Sequence, residues 1–341
     1  MITVTLYTRP DCHLCEQAKA DLETLQAKFP HRLVEIDIDS DPALSSALVA
    51  KNATTYALEI PVVEAGPYRL KAPFTPQDLQ KTLGAASDRQ AHLERIDDKA
   101  YRAAVARGET ITGADRISYW LSRHYLAIFN LVLLLYVGLP FLAPALKKVG
   151  ADGAAEVVYK VYSPLCHQWA FRSFFLFGEQ AYYPHAAANM PGVITFEAAT
   201  GISDQNDPAR LGARQFEGSP TLGFKVALCE RDVAIWGSML LFGLIYAVTG
   251  RRIPSLPWWI WILVGMFPIG LDGVSQIISQ FSFPALQVIL PYRESTPFLR
   301  TLTGFLFGFT TAWYGFPVIE EVMADTRRLL SKKFAVVAAK V

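Results

Sequence analysis

Four long apolar runs in the last two thirds of the chain constrain its fold more than any other feature. They are residues 125–142, 233–248, 258–271 and 298–319. A bilayer core about 30 Å thick is crossed by about 20 helical residues, and each run has that length or reaches it with its flanks. Because 52% of the 341 residues are hydrophobic while the N-terminal third is rich in charge, the apolar excess lies downstream. The sequence predicts an all-α polytopic membrane domain over residues 116–341.

A fifth apolar stretch, residues 154–178, contains Lys160, His167 and Arg172. An unpaired charge at bilayer depth costs about 3 kcal/mol or more. The stretch therefore either lies at the interface or re-enters, or it spans with these side chains facing a polar interior.

Basic residues that flank the apolar runs predict the orientation, because cytoplasmic flanks collect Lys and Arg. They are Arg116 and Arg123 before the first run, Arg251 and Arg252 after the second, and Arg327, Arg328, Lys332 and Lys333 after the last. If all three groups are cytoplasmic, the number of spans is even, and residues 147–231 lie outside. We expect four spans, with five as the alternative, in a bacterial inner membrane, and a cytoplasmic N-terminal domain.

Cys12 and Cys15 lie where a predicted strand turns into a predicted helix. Residues 2–7 are an apolar, β-branched run, and residues 16–29 repeat apolar side chains at helical spacing. The N-terminus of a helix lowers the pKa of a thiol, so we predict Cys12 as the attacking thiol and Cys15 as the resolving one. An inert buried pair and a structural zinc site are the alternatives. Zinc would need ligands from the few histidines of the first hundred residues.

The residues after the cysteines alternate between strand and helix. We predict strands at 32–38, 59–63 and 68–71, a helix at 41–50, and a helix capped by Thr75 and Asp78. Cys12, Cys15, Ile60-Pro61 and the run at 37–42 make residues 1–84 resemble the glutaredoxin-like members of the thioredoxin superfamily. The resemblance implies an α/β thioredoxin fold, thiol-disulfide exchange, and a cis peptide before Pro61 that faces the cysteines.

Residues 85–115 are dense in charge and predict a solvated helical linker. The chain begins with a strand, so we expect no cleavable signal peptide.

A net charge of +1 with no basic patch among aromatics predicts no nucleic-acid partner. The expected partners are a cellular thiol reductant or a protein dithiol or disulfide, together with the lipid bilayer. We expect no cofactor.

A second candidate site lies around residues 120–320, at one side of the predicted spans. It consists of Cys166, His167, Gln168, Arg172, Cys229, Arg231, Asp272 and Gln276. The Cys-His-Gln, Cys-x-Arg and Asp-Gly-x-x-Gln elements resemble a predicted bacterial membrane-protein family of unknown function. A carboxylate at membrane depth normally has a partner, and we expect Arg231 to pair with Asp272.

Three roles are open for Cys166 and Cys229. They form a structural disulfide, or a redox-active pair that exchanges electrons with the N-terminal dithiol, or a metal site with His167 and Asp272. The leading prediction for the whole chain is a membrane-associated thiol-disulfide oxidoreductase. The alternative is a redox-sensing membrane carrier or metal-binding protein in which Cys166 and Cys229 are structural or ligands.

Overall fold

The computed structural model describes residues 1–39, 60–281 and 291–339. The chain divides into two compact units. The first comprises Met1–Tyr125, Thr249–Pro254 and Pro317–Val341, and the second comprises Leu126–Val248 and Ser255–Phe316. The helix predicted at residues 41–50 lies outside the described residues.

The N-terminal part of the first unit is a mixed four-stranded sheet with helices packed on it. Its elements are β1 (Ile2–Thr8), α1 (His13–Leu25), β2 (His31–Asp37), β3 (Val62–Ala65), β4 (Tyr68–Lys71) and α2 (Pro76–Arg95). The strand order is β2-β1-β3-β4; β1 and β2 are parallel, whereas the other neighbours are antiparallel. Apolar residues of β1, β3, α1 and α2 form one buried core. This arrangement fits the thioredoxin-like fold expected from the sequence.

Strand β3 begins later than the sequence suggests. The prediction placed a strand at 59–63, whereas β3 is Val62–Ala65. Pro61 has no N–H to donate to a ladder, so regular pairing starts after it. The peptide between Ile60 and Pro61 is cis, as expected. The cap predicted for α2 is confirmed, because Thr75 and Asp78 form a reciprocal capping box.

Helix α2 continues to Arg95, beyond the expected domain end at residue 84, and α3 (Lys99–Glu109) follows it. No helix breaker interrupts residues 85–95. The charged linker of the prediction therefore begins inside a helix. Thr112 and Asp115 then cap the next helix through mutual hydrogen bonds of 2.8 and 3.2 Å between side chain and backbone N–H.

Four helical segments in the described residues are long and apolar enough to cross a membrane: Gly113–Lys148, Glu230–Val248, Trp258–Ser279 and Pro297–Ala338. The first joins α4 (Gly113–Gly138) to α5 (Leu142–Lys148) through a 3₁₀ turn. The second is α9 (Glu230–Val248), which follows the elements described below. The third joins α10 (Trp258–Ile260), a π-helical turn and α11 (Phe267–Ser279), and the fourth is α12 (Pro297–Ala338).

The residues between the first and second candidate spans form short elements. These are α6 (Asp152–Tyr162), β5 (Ser173–Leu176), α7 (Phe196–Thr200), α8 (Leu211–Gln215), β6 (Gly218–Ser219) and β7 (Gly223–Cys229). The strands form an antiparallel sheet of order β5-β7-β6, which the prediction of an all-α membrane domain did not include. The fifth apolar stretch is split between α6 and β5, because Pro164 and the left-handed backbone of Gln168 (φ 54°) interrupt a helix.

A buried polar cluster in the first unit ties together three parts of the chain. The Glu320 carboxylate pairs with Arg327 and accepts hydrogen bonds from Tyr125 at 2.6 Å and from Arg251 at 3.3 Å. Arg327 also donates to the carbonyl of Ser122 at 2.6 Å. The cluster thus joins the first half of α4, the residues after α9 and the second half of α12.

Candidate functional site

Cys12 and Cys15 are joined by a disulfide at the start of α1. Cys12 is the N-cap residue, and its Sγ accepts a hydrogen bond from the backbone N–H of Cys15 at 3.2 Å. Cys15 is buried, whereas Cys12 is partly exposed. The sulfur of Cys12 is therefore the more accessible of the two, and it lies at the N-terminus of a helix.

The dithiol borders a core cluster that includes Cys15, Ile60, Tyr7 and apolar residues of β2 and β3. Ile60 precedes Pro61, so the cis peptide belongs to the same part of the domain as the cysteines. Ala335 and Val336, near the end of α12, pack against this cluster. The C-terminal end of α12 therefore packs beside the cysteine pair of the thioredoxin-like domain.

Ion pairs fix the end of α12 on the domain. Lys332 donates to Glu64 of β3 at 2.8 Å, and Lys333 donates to Asp115 at 2.7 Å. Burial opposes ionisation of Glu64, but its hydrogen bonds with Lys332 and Arg69 outweigh burial and lower the pKa of this carboxyl. Glu64 is thus held charged between two cations.

The second unit brings the other two cysteines together. Cys166 follows α6 and is buried, Cys229 ends β7, and both are free thiols. The hydrogen bond from the Cys229 thiol lowers the pKa of Cys166 against the opposing effect of burial, and the backbone N–H of Gln168 adds to it at 3.5 Å. The same thiol–thiol bond, together with burial, raises the pKa of Cys229 well above its ordinary value. The pair therefore favours one thiolate, on Cys166.

Asp232 completes a group of three with these thiols. One sulfur from each cysteine and one carboxylate oxygen of Asp232 all lie within 4.8 Å of one another. Cys229 and Asp232 are three residues apart at the start of α9 and so share a face, whereas Arg231 projects about 100° away from Asp232. The first turn of α9 thus contributes Asp232 to the group with the two cysteines and Arg231 to a separate group around Asp272.

Gln168 holds the Cys166 loop against the sheet. Its side-chain amide donates to the carbonyls of Tyr159 at 2.9 Å and Ala227 at 3.1 Å. The carbonyl of Gln168 accepts from the buried Lys225 at 2.9 Å. Burial lowers the pKa of Lys225 to about 7. Gln168 is therefore a positioning residue for Cys166.

Asp272 is the centre of a second group. The expected pair with Arg231 is confirmed, with Arg231 Nη2 at 2.5 Å from Asp272 Oδ2. Arg293 donates to the other oxygen at 2.7 Å, and the hydroxyl of Ser295 donates at 2.6 Å. Because its oxygens are held by two guanidinium groups and a hydroxyl, Asp272 is a poor candidate for the metal ligand that the sequence suggested.

Glu294 is the centre of a third group, and sequence reasoning missed it. It pairs with Arg300 and with Arg172, whose Nε lies 2.6 Å away, and it accepts from Gln276 at 2.7 Å. Burial, followed by the charge of Arg300, lowers the pKa of Arg172 to about 10. In the sequence, Glu294 belongs to a charged Arg293-Glu294 pair just before the fourth apolar run, a pattern that does not distinguish it from a solvated carboxylate.

Seven of the eight residues predicted for the membrane domain take part in these groups. His167 does not, because it is exposed and its ring lies against that of Trp169 in a tilted arrangement, at a centroid distance of 4.9 Å. The metal set proposed from sequence, Cys166, His167, Cys229 and Asp272, is therefore not brought together. Asp232, rather than Asp272, lies beside Cys166 and Cys229.

Two families match separate parts of the chain. Residues 3–84 match the glutaredoxin-like domain (DUF836), and residues 218–314 match a predicted membrane protein family (DUF2085). An uncharacterized protein of Methanocaldococcus jannaschii is 24% identical over 212 residues, which cover 60% of this chain and 97% of the relative. No solved structure matches the chain significantly. The protein thus joins an N-terminal glutaredoxin-like domain to a C-terminal predicted membrane-protein domain with four candidate spans.

Proposed function

We propose that the protein is a membrane-associated thiol-disulfide oxidoreductase whose redox centre is the Cys12–Cys15 pair. The observation that carries the proposal is the position of Cys12. It is the N-cap of α1, it is more exposed than Cys15, and its sulfur accepts the N–H of Cys15. Dithiol exchange requires an accessible sulfur, favoured as a nucleophile at a helix N-terminus, and a second thiol about one helical turn away.

The reaction needs no further group. The Cys12 thiolate attacks one sulfur of a substrate disulfide, which forms a mixed disulfide and releases the other substrate sulfur as a thiolate. The Cys15 thiolate then attacks the Cys12 sulfur, which forms the intramolecular disulfide and releases the second substrate thiolate. Two electrons pass to the substrate, each released thiolate takes a proton from water, and a cellular thiol reductant restores the dithiol.

The Cys15→Ser variant tests this sequence of steps. Because the resolving thiol is missing, the first exchange should stop at a mixed disulfide on Cys12. The full-length variant should therefore accumulate one disulfide-linked adduct per chain, detected by mass spectrometry and released by reductant. Cys12→Ser, the matched control, should form no such adduct. An equal adduct on both variants would contradict the assigned roles.

We further propose that the N-terminal domain is cytoplasmic and that the four candidate spans alternate in direction. The Glu320 cluster joins the start of the first span, the end of the second and the end of the fourth. The Asp272 and Glu294 groups join the start of the second, the end of the third and the start of the fourth. If successive spans run in opposite directions, the start of one span and the end of the next lie on the same side of the membrane, which is the pairing that these two sets of contacts show. The basic flanks after α9 and in α12 then support a cytoplasmic location for the Glu320 side.

Reporter fusions should resolve the orientation. Fusions after Gly84, after Arg252 and at Val341 should report the cytoplasm, because Lys- and Arg-rich flanks are retained there. A fusion at Gly201, between the first two spans, should report the opposite side. A cytoplasmic signal from Gly201 would contradict the alternating arrangement.

A further inference from the structure

We propose that Cys166, Cys229 and Asp232 bind one divalent ion of the zinc type, at a site separate from the Cys12–Cys15 pair. Their two sulfurs and one carboxylate oxygen all lie within 4.8 Å of one another. Ligands of a tetrahedral ion bound at about 2.0–2.3 Å are about 3.3–3.8 Å apart. Small side-chain rotations would therefore close these atoms around an ion.

The surroundings of Asp232 give a second, independent reason to expect a bound metal ion. Within the described residues its carboxylate has no hydrogen bond or ion pair, whereas the nearby Asp272 is held by Arg231, Arg293 and Ser295. A half-buried carboxylate that lies beside two thiols, with no cationic partner among the described residues, is available to bind a cation. A metal ion bound between the three side chains would supply the missing positive charge.

The two thiols are carried by elements that hold them in place. Cys229 ends β7 and is paired with Ser173 of β5 in the sheet. Cys166 is held through Gln168, whose amide bridges the carbonyls of Tyr159 and Ala227 and whose backbone N–H points at the Cys166 sulfur. Supporting hydrogen bonds of this kind orient the direct ligands of metal sites. The site is therefore organised by the fold rather than by a mobile loop end.

The set of ligands indicates the class of ion. Two thiolates disfavour magnesium and calcium, which prefer oxygen ligands, whereas thiolate with carboxylate suits zinc. Three protein ligands leave the fourth tetrahedral position open to water or a solute. A copper(I) ion would need only the two thiolates, so dependence on Asp232 separates the two ions. On binding, each cysteine becomes a thiolate ligand, every proton still carried by a sulfur passes to solvent as its S–metal bond forms, and no atom is oxidised or reduced.

Cobalt(II), which replaces zinc and absorbs light when bound to thiolates, is the probe for the test. The full-length protein is prepared in detergent with a phosphine reductant, in a Cys12→Ser/Cys15→Ser background that removes the other dithiol. We expect one cobalt per chain with a thiolate-to-cobalt absorption band, and displacement of cobalt by zinc. Cys166→Ser and Cys229→Ser should each lose the band.

Asp232→Asn should weaken cobalt and zinc binding by at least about tenfold, since even supporting residues of metal sites cost about 10–100-fold when changed. Asp232→Glu, which keeps the carboxylate, should recover part of the affinity. Asp152→Asn is the matched control, because Asp152 is an exposed carboxylate between the same two spans, and binding should not change. Thermal unfolding of each variant identifies any that fail to fold.

Alkylation gives a second readout that needs no substitution of Cys166 or Cys229. Zinc should protect both Cys166 and Cys229 from a maleimide in the same Cys12→Ser/Cys15→Ser background, as counted by mass spectrometry. The proposal is overturned if the folded, reduced protein shows no cobalt band, or if Asp232→Asn binds as tightly as its parent. It is also overturned if zinc leaves the alkylation of both thiols unchanged, which would favour a disulfide or an electron-relay role for the pair.

Discussion

Replacing Cys12 by serine should reduce the disulfide-exchange activity of the full-length protein to the uncatalysed rate. The hydroxyl of serine is not ionised near neutral pH, so the N-cap position would no longer present a nucleophile to a substrate disulfide. The measurement is the steady-state reduction of a small model disulfide by the purified protein in detergent, with a thiol reductant in excess.

The matched control for this experiment is the Cys166→Ser/Cys229→Ser double variant. It removes the other two of the four cysteines and leaves Cys12 and Cys15 in place. Its turnover of the small substrate should equal that of the wild type. If the double variant lost activity while Cys12→Ser retained it, the redox centre would lie in the second unit and the proposed function would be wrong.

Glu294→Gln should give the largest loss of stability in the membrane domain. Glu294 accepts hydrogen bonds from Arg172 and Gln276 and pairs with Arg300. The amide keeps the size of the side chain but removes the carboxylate charge that pairs with the buried Arg300 and the half-buried Arg172. Breaking one partner of a buried ion pair costs about 3–5 kcal/mol. The midpoint of thermal unfolding in detergent should fall accordingly.

Glu179→Gln is the control for this loss. Glu179 lies between the same first two spans as Arg172, but its side chain is exposed. Replacing an exposed carboxylate changes stability by about 0–1 kcal/mol. Equal unfolding midpoints for the two variants would show that the Glu294 group does not stabilise the fold.

Most pairings between polar side chains of the membrane domain could not be predicted from the sequence, because the partners are far apart in the chain. Arg172 and Glu294 are 122 positions apart in the chain, and their contact depends on how β5 and the start of α12 come together. Asp272 and Arg231 could be paired in advance because each is a charge beside an apolar run, where a partner is required. Glu294 lies just outside such a run, and nothing in the local pattern separates it from an ordinary solvated carboxylate.

The sequence by itself determined the features that depend on neighbouring residues. Strand and helix periodicity placed Cys12 and Cys15 at the start of α1, and the apolar runs predicted the candidate spans, because both signals are carried by contiguous residues. Only the tertiary structure decided which distant side chains meet. It brought Cys166 to the neighbouring Cys229 and Asp232, and it placed the end of α12 beside the Cys12–Cys15 pair, because such contacts depend on packing between elements far apart in the chain.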